Sequence, residues 1–322
     1  MGILKNAALA AATVVAGAGA AWAEYPESPI TLIVPWSAGG GTDATGRLIA
    51  GQLEETLGQP VNVVNRTGGG GIVGHTALAE AEPDGYTLGI ITTELSMYSA
   101  VGSAELTYED YSLVGLYNAD PSAIFVKADS EFETVEDLAE AIKADVSALS
   151  TSGANFGGLN HLSWISLVQG LGGEASAVNW VPTDGGAPSL QLLVSGAIDV
   201  VVAQFPEAKA LIEAGEIRPL AYLGSEPNEG FPDVPTVNDA LGVDFAIAGW
   251  RGLAGPAGLP DDITATLVEA LDGIVQSDSF NEAMGNLNYG VVWEGGDDFM
   301  EYLAQRGKAF GDAISSAGLD NQ

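Results

Sequence analysis

Residues 34–48 read VPWSAGGGTDATGRL, immediately after the apolar run Ile30–Val34. A strand that runs into three glycines, a Thr-Asp pair and a helical pattern is suited to holding an anion. Glycine lets the backbone come close to a ligand and take φ > 0, and the first N–H groups of a helix have no partner inside it. Residues 61–78, VNVVNRTGGGGIVGHTAL, repeat the arrangement. A dinucleotide, a phosphate or a carboxylate could each use such loops, and the rest of the chain has to choose among them.

Outward from these loops the pattern alternates. Near-continuous apolar runs at Ile30–Val34, 61–64, 87–91, 123–126, 178–181 and 197–202 predict strands covered on both faces. Helical patterns lie at 42–57, 72–80, 135–144, 160–169, 187–195 and 206–214. Such alternation predicts a parallel α/β sheet with right-handed crossovers. Two further helices close the chain. One starts at Pro260 and carries Ile263, Leu267, Leu271 and Ile274 on one face; the other starts at Asp297-Asp298 and carries Phe299, Leu303, Phe310 and Ile314. Turn residues cluster at 82–88, 228–236 and 255–260. The expected architecture is a compact, two-lobed α/β protein.

Composition bounds the compartment and the partners. The 322 residues contain no Cys, so a core rather than disulfides must supply stability. Residues 1–23 hold Lys5, an Ala/Val/Gly stretch and Ala21-Trp22-Ala23, which read as a signal peptide cleaved after Ala23. The apolar run falls short of the roughly 18–20 residues of a membrane anchor. The expectation is an exported, soluble, periplasmic chain. Ten Lys and Arg against 43 Asp and Glu give a net charge of −33. That field repels nucleic acid and anionic membranes, and suits a saline medium in which screening shortens self-repulsion.

The residues offer little to a catalyst. Thiol chemistry is excluded, no G-x-S-x-G elbow occurs, and the two histidines, His75 and His161, sit in helical segments without a partner acid at suggestive spacing. No H-E-x-x-H or calcium-loop pattern marks a metal. Gly69–Gly74 does match G-x-G-x-x-G, yet the strand after it ends in Thr92-Thr93, where a ribose-binding acid would stand. Neither glycine loop continues into Lys-Ser/Thr, so the Walker pattern fails. A non-enzymatic protein with no cofactor and no metal is expected. What remains is anion capture by backbone groups. Parallel strands would bring the loops 36–43, 65–71, 92–94, 150–155 and 183–188 to one crevice.

At this point the residues resemble a known family: the periplasmic substrate-binding proteins of tripartite tricarboxylate transporters, also called Bug proteins. The matching stretches are YPESPITLIVPWSAGGGTD (25–43), GQPVNVVNRTGGGG (58–71), AEPDGYTL (81–88), GGAPSLQLLVSGAIDV (185–200), FPDVPTVNDA (231–240) and GPAGLP (255–260). They run in family order over essentially the whole chain after residue 23. The resemblance implies a Venus-flytrap protein of the type II periplasmic-binding-protein class, with one lobe from 24–122 and 243–322 and the other from 123–242. It implies a small carboxylate held between the lobes and delivered to integral membrane transporter subunits by a monomeric receptor. A ligand-sensing partner of a two-component receptor kinase is the alternative on the same fold.

Loops and resemblance together nominate Trp36, Ser37, Ala38, Gly39, Gly40, Thr42 and Asp43 from the first loop, and Thr93 from the next. Ser152, Asn155, Gly186, Ala187, Pro188 and Ala203 are nominated from the second lobe. Arg66 is the one cation in these loops, so recognition is expected to rest on backbone N–H groups, hydroxyls and water. A carboxylate paired to Arg47 or Arg251 would contradict that. Three positions depart from the family pattern. Ala203-Gln204 stand where many relatives carry an Asp, which argues against an amino-acid ligand. Trp36 replaces the usual Phe. Glu94 is ill-suited to lie beside a ligand carboxylate unless protonated or turned away.

Overall fold

The structure, a computed structural model, describes residues 25–243, 247–316 and 318. The expected signal peptide, residues 1–23, therefore lies outside the described residues. β1 (Ile30–Val34), α1 (Gly41–Leu57), β2 (Val61–Asn65), α2 (Ile72–Ala79), β3 (Thr87–Thr92) and α3 (Tyr98–Val101) follow in order, and β1 pairs in parallel with both β2 and β3. β4 (Tyr111–Pro121) then leads past Ser122 into β5 (Ala123–Lys127), which belongs to a different sheet. That second sheet is built with α4 (Val135–Asp145), β6 (Ser150–Ser152), α5 (Leu159–Gly170), β7 (Asn179–Trp180) and α6 (Gly186–Val194). β8 (Val200–Ala203), α7 (Phe205–Glu213), β9 (Ile217–Tyr222) and α8 (Val237–Leu241) complete it. β10 (Ala248–Pro256) carries the chain back to the first sheet, followed by α9 (Asp261–Val275), α10 (Asp278–Asn286), β11 (Glu294–Gly295) and α11 (Gly296–Ser316). The sheet orders are β11-β4-β10-β3-β1-β2 and β7-β6-β8-β5-β9.

The expected parallel pairing holds for β1 with β2 and β3 and for β6 with β7 and β8, and is corrected for the strands that cross between the sheets and their neighbours. β10 runs antiparallel to β3 and β4, and β5 runs antiparallel to β8 and β9. Of the strands the periodicity did not predict, the three longest have interrupted apolar runs. β4 carries Asn118 and Asp120, β10 carries Arg251 and three glycines, and β9 carries Arg218-Pro219. Proline is tolerated in β9 because that strand is a sheet edge.

Each sheet is covered on both faces, as the apolar strands require. Ile30, Leu32 and Val34 pack against Ile49 and Leu53 of α1 and Leu267, Leu271 and Ile274 of α9. On the opposite face Ile33 and Ile91 meet Phe299, Leu303, Phe310 and Ile314, so the predicted stripe of α11 is buried. Leu159, Leu162 and Ile165 of α5 join this second cluster and make an apolar seam between the lobes.

The final glycine of the second loop has a packing role. A Cβ at Gly74 would come within 2.6 Å of Pro35 Cα and 2.7 Å of the Arg66 carbonyl, so α2 can lie on the β1–α1 connection only with glycine there. A Cβ at Gly273, in the last turn of α9, would meet nothing within 4 Å. Gly74→Ala is expected to destabilise by about 1–3 kcal/mol through forced backbone shifts. Gly273→Ala is expected to stabilise by about 0.5–1 kcal/mol through helix propensity. Urea titration of both variants against the parent checks the pair.

Candidate functional site

The first loop turns at Gly39, whose φ of +82° is the left-handed conformation that favours glycine. Asp43 fastens the turn from inside α1. Its carboxylate accepts from Gly39 N at 2.9 Å, Arg47 Nε at 3.0 Å and Asn65 Nδ2 at 2.9 Å. Burial alone would push this carboxyl up, but hydrogen bonds from Arg47, Gly39 and Asn65 hold it below the usual carboxylate range. Gly40 caps α1 with backbone only, which leaves the Gly41 N–H free to face the cleft.

That N–H meets the other lobe. It donates to Glu207 Oε1 at 3.0 Å, from the third residue of α7, while Ser37 Oγ donates to the Asp184 carbonyl at 2.8 Å. A second carboxylate crosses in the opposite direction. Glu94 accepts from Thr92 Oγ1 at 2.8 Å and from the backbone N–H of Leu159, the first residue of α5. Thr92 in turn accepts from Trp36 Nε1 at 3.2 Å. Burial pushes the Glu94 carboxyl up against these hydrogen bonds and the field of Arg251. Each lobe thus places an acid on a helix N-terminus of the other.

Arg251 forms the back of the cleft. Its Nε donates to Thr42 Oγ1 at 3.2 Å and its Nη1 to Asn118 Oδ1, with Asp120 Oδ2 at 3.6 Å and the Tyr289 ring centre at 5.5 Å. Burial pushes the Asp120 carboxyl up, and Arg251, Asn118 and the Gly290 N–H oppose it. The cavity between Trp36, Thr42, Gly186 and Arg251 holds about 60 Å³. Roughly 150 Å³ suffices for benzene, so the cleft as it stands is too small for a ligand of that size and has to widen to hold one.

Of the nominated residues, Trp36, Ser37, Gly40, Thr42, Thr93, Gly186 and Ala187 line this space. The Thr93 hydroxyl is already committed to β10, accepting from Trp250 N at 2.6 Å. Ala38, Gly39, Asp43, Ser152, Asn155, Pro188 and Ala203 are not in the lining. Asp43 faces its own loop. Ser152 Oγ donates to the Val181 carbonyl at 2.7 Å, and Asn155 Nδ2 donates to the Phe156 carbonyl at 3.1 Å.

The residues missed include Glu207, Arg251, Trp250, Asn160 and Gln204. A cation does line the cleft, because Arg251 arrives on a strand remote from the loops, and Glu207 brings a carboxylate to the wall that Gln204 shares. The signal available for Arg251 was its isolation in an otherwise apolar strand. For Glu207 it was the third helical position after Gln204, which reads as a capping box.

Fold and cleft define a two-lobed periplasmic binding protein. The matching family is described as "Tripartite tricarboxylate transporter family receptor", over residues 45–319, and the chain belongs to it. The periplasmic binding protein BugD superposes with a TM-score of 0.86 at 27% identity, covering 92% of this chain and 100% of that one. Two Rhodopseudomonas palustris structures are similar. MatC with bound malate has a TM-score of 0.82 at 26% identity, covering 90% of this chain and 100% of that one. Rpa4515 with adipate has a TM-score of 0.86 at 26% identity, covering 93% and 100%.

Removing Arg251 would leave Asp120 and Asn118 buried without their partner. Arg251→Met is expected to lose about 3–5 kcal/mol, and Asp120→Asn combined with it to recover part of that. Guanidinium titration of the single and double variants measures the difference.

Proposed function

We propose that this chain is a non-enzymatic periplasmic receptor that captures a small carboxylate between its lobes. It would deliver that acid to the integral membrane subunits of a tripartite transporter. The observation that carries the reading is the Gly41 N–H at the start of α1, which faces the cleft and already holds a carboxylate at 3.0 Å. Thr42 and Arg251 lie beside it. A helix N-terminus next to a buried guanidinium is a favourable place for one carboxylate. The malate and adipate bound by similar proteins are of the chemical class this geometry suits.

The remaining ionisable groups support binding rather than turnover. Glu94 is committed to Thr92 and Leu159, and Asp120 to Arg251, Asn118 and Gly290. His75 and His161 are buried outside the cleft lining, and burial lowers them to about 3 and about 4. We divide the lobes at Ser122 on the way out and near residue 243 on the return, and assign residues 1–23 to an export signal cleaved after Ala23. Opening about the two crossing strands would admit the acid, and closure would complete its contacts, a population shift driven by differential affinity for the closed form. The receptor would act as a monomer.

Calorimetric titration and thermal unfolding of residues 24–322 with malate, adipate and citrate test the reading. At about 100 times Kd the bound acid should add roughly 2.7 kcal/mol. A response to sugars or nucleotides with none to any acid would overturn it.

A further inference from the structure

The carboxylate site at the start of α1 is occupied by the protein's own side chain. Glu207 Oε1 accepts from Gly41 N at 3.0 Å, and its Oε2 accepts from Gln204 N at 3.3 Å, within the capping box of α7. A Cβ on Gly186 would collide with the same carboxylate, so the start of α6 lies against it as well. Three helix N-termini therefore converge on one acid, the first of them from the opposite lobe. Resting on the reading of the cleft as a carboxylate site, we propose that Glu207 is a resident competitor. An incoming acid must displace it from Gly41, and Glu207 thereby sets which acids bind.

Three observations support displacement over coexistence. Gly41 offers one N–H, and it is in use. The cleft leaves about 60 Å³, and a second carboxylate packed against Glu207 would meet like charge at short range. Displacement is also cheap on the Glu207 side. Once released from Gly41, the side chain still caps α7 through Gln204 N, so no charged group is left buried without a donor. Acids that also engage Arg251 and Thr42 would recover the lost contact, and those that cannot would be rejected.

The test uses residues 24–322 as wild type, Glu207→Ala and Glu207→Gln, titrated with malate, adipate and aspartate. Small-angle scattering of the unliganded forms accompanies it. A competitor in place nine-tenths of the time weakens apparent affinity about tenfold. Glu207→Ala is therefore expected to bind malate or adipate about tenfold tighter than wild type, and to be more open without ligand. Glu207→Gln keeps one acceptor oxygen, for Gln204 N or for Gly41 N but not both, and loses the charge, so it should lie between the two. It also preserves the test if the alanine variant folds poorly. Binding by Glu207→Ala where wild type shows none would equally support the proposal. Unchanged or weaker binding of malate and adipate in both variants would overturn it and leave the carboxylate reading standing. So would a preference for aspartate that Glu207→Gln abolishes, which would make Glu207 a ligand contact. No binding of any acid by any of the three proteins would overturn both.

Discussion

The structure turns on the buried contact between Arg251 and the pair Asn118 and Asp120. β4 and β10 are the two strands by which the chain leaves and regains the first sheet, and this contact joins them side by side. Arg251 reaches on to Thr42 at the start of α1, so the crossing strands and the anion-binding loop share one guanidinium. Asp120 is also held by the Gly290 N–H at 2.7 Å, which ties the C-terminal segment to the same point. A charge taken out of water is stable only if such partners stay in place. The connection between the lobes and the back wall of the cleft are for that reason a single construction.

Around this pivot the closed form is held by contacts of two kinds. Leu159, Leu162 and Ile165 make an apolar seam, which is insensitive to charge. The polar contacts are reciprocal: Glu207 on the N-terminus of α1, and Glu94 on that of α5. In a chain of net charge −33, acids placed in this way turn a general excess of negative charge into specific fastenings. The same chemistry makes the cleft receptive to a foreign carboxylate, because any group that competes for a helix N-terminus has to offer what Glu offers.

Much of this was legible in the sequence, for reasons that also mark where reading fails. β1, β3, β5 and β8 announce themselves as apolar runs because both faces of their sheets are covered. The stripe of α11 does so because its partners form one surface. β4 and β10 stay hidden because Asn118, Asp120 and Arg251 look like surface residues until paired with each other. The glycine loops were legible as loops, and Trp36, Ser37, Gly40, Thr42, Gly186 and Ala187 do face the cleft. Asp43 and Ser152 carried the right chemistry but direct it away from the cleft, Asp43 to Gly39, Arg47 and Asn65 and Ser152 to the Val181 carbonyl. Glu207 read as a helix cap, and one of its oxygens is one. That the other crosses to Gly41, 166 residues away, is a property of the closed fold alone.

The most direct measurement is a crystal structure of the protein grown with malate. A malate carboxylate is expected within about 3 Å of Gly41 N, next to Thr42 and Arg251, with Glu207 withdrawn onto the N-terminus of α7. Malate bound elsewhere, with Glu207 still on Gly41, would contradict it.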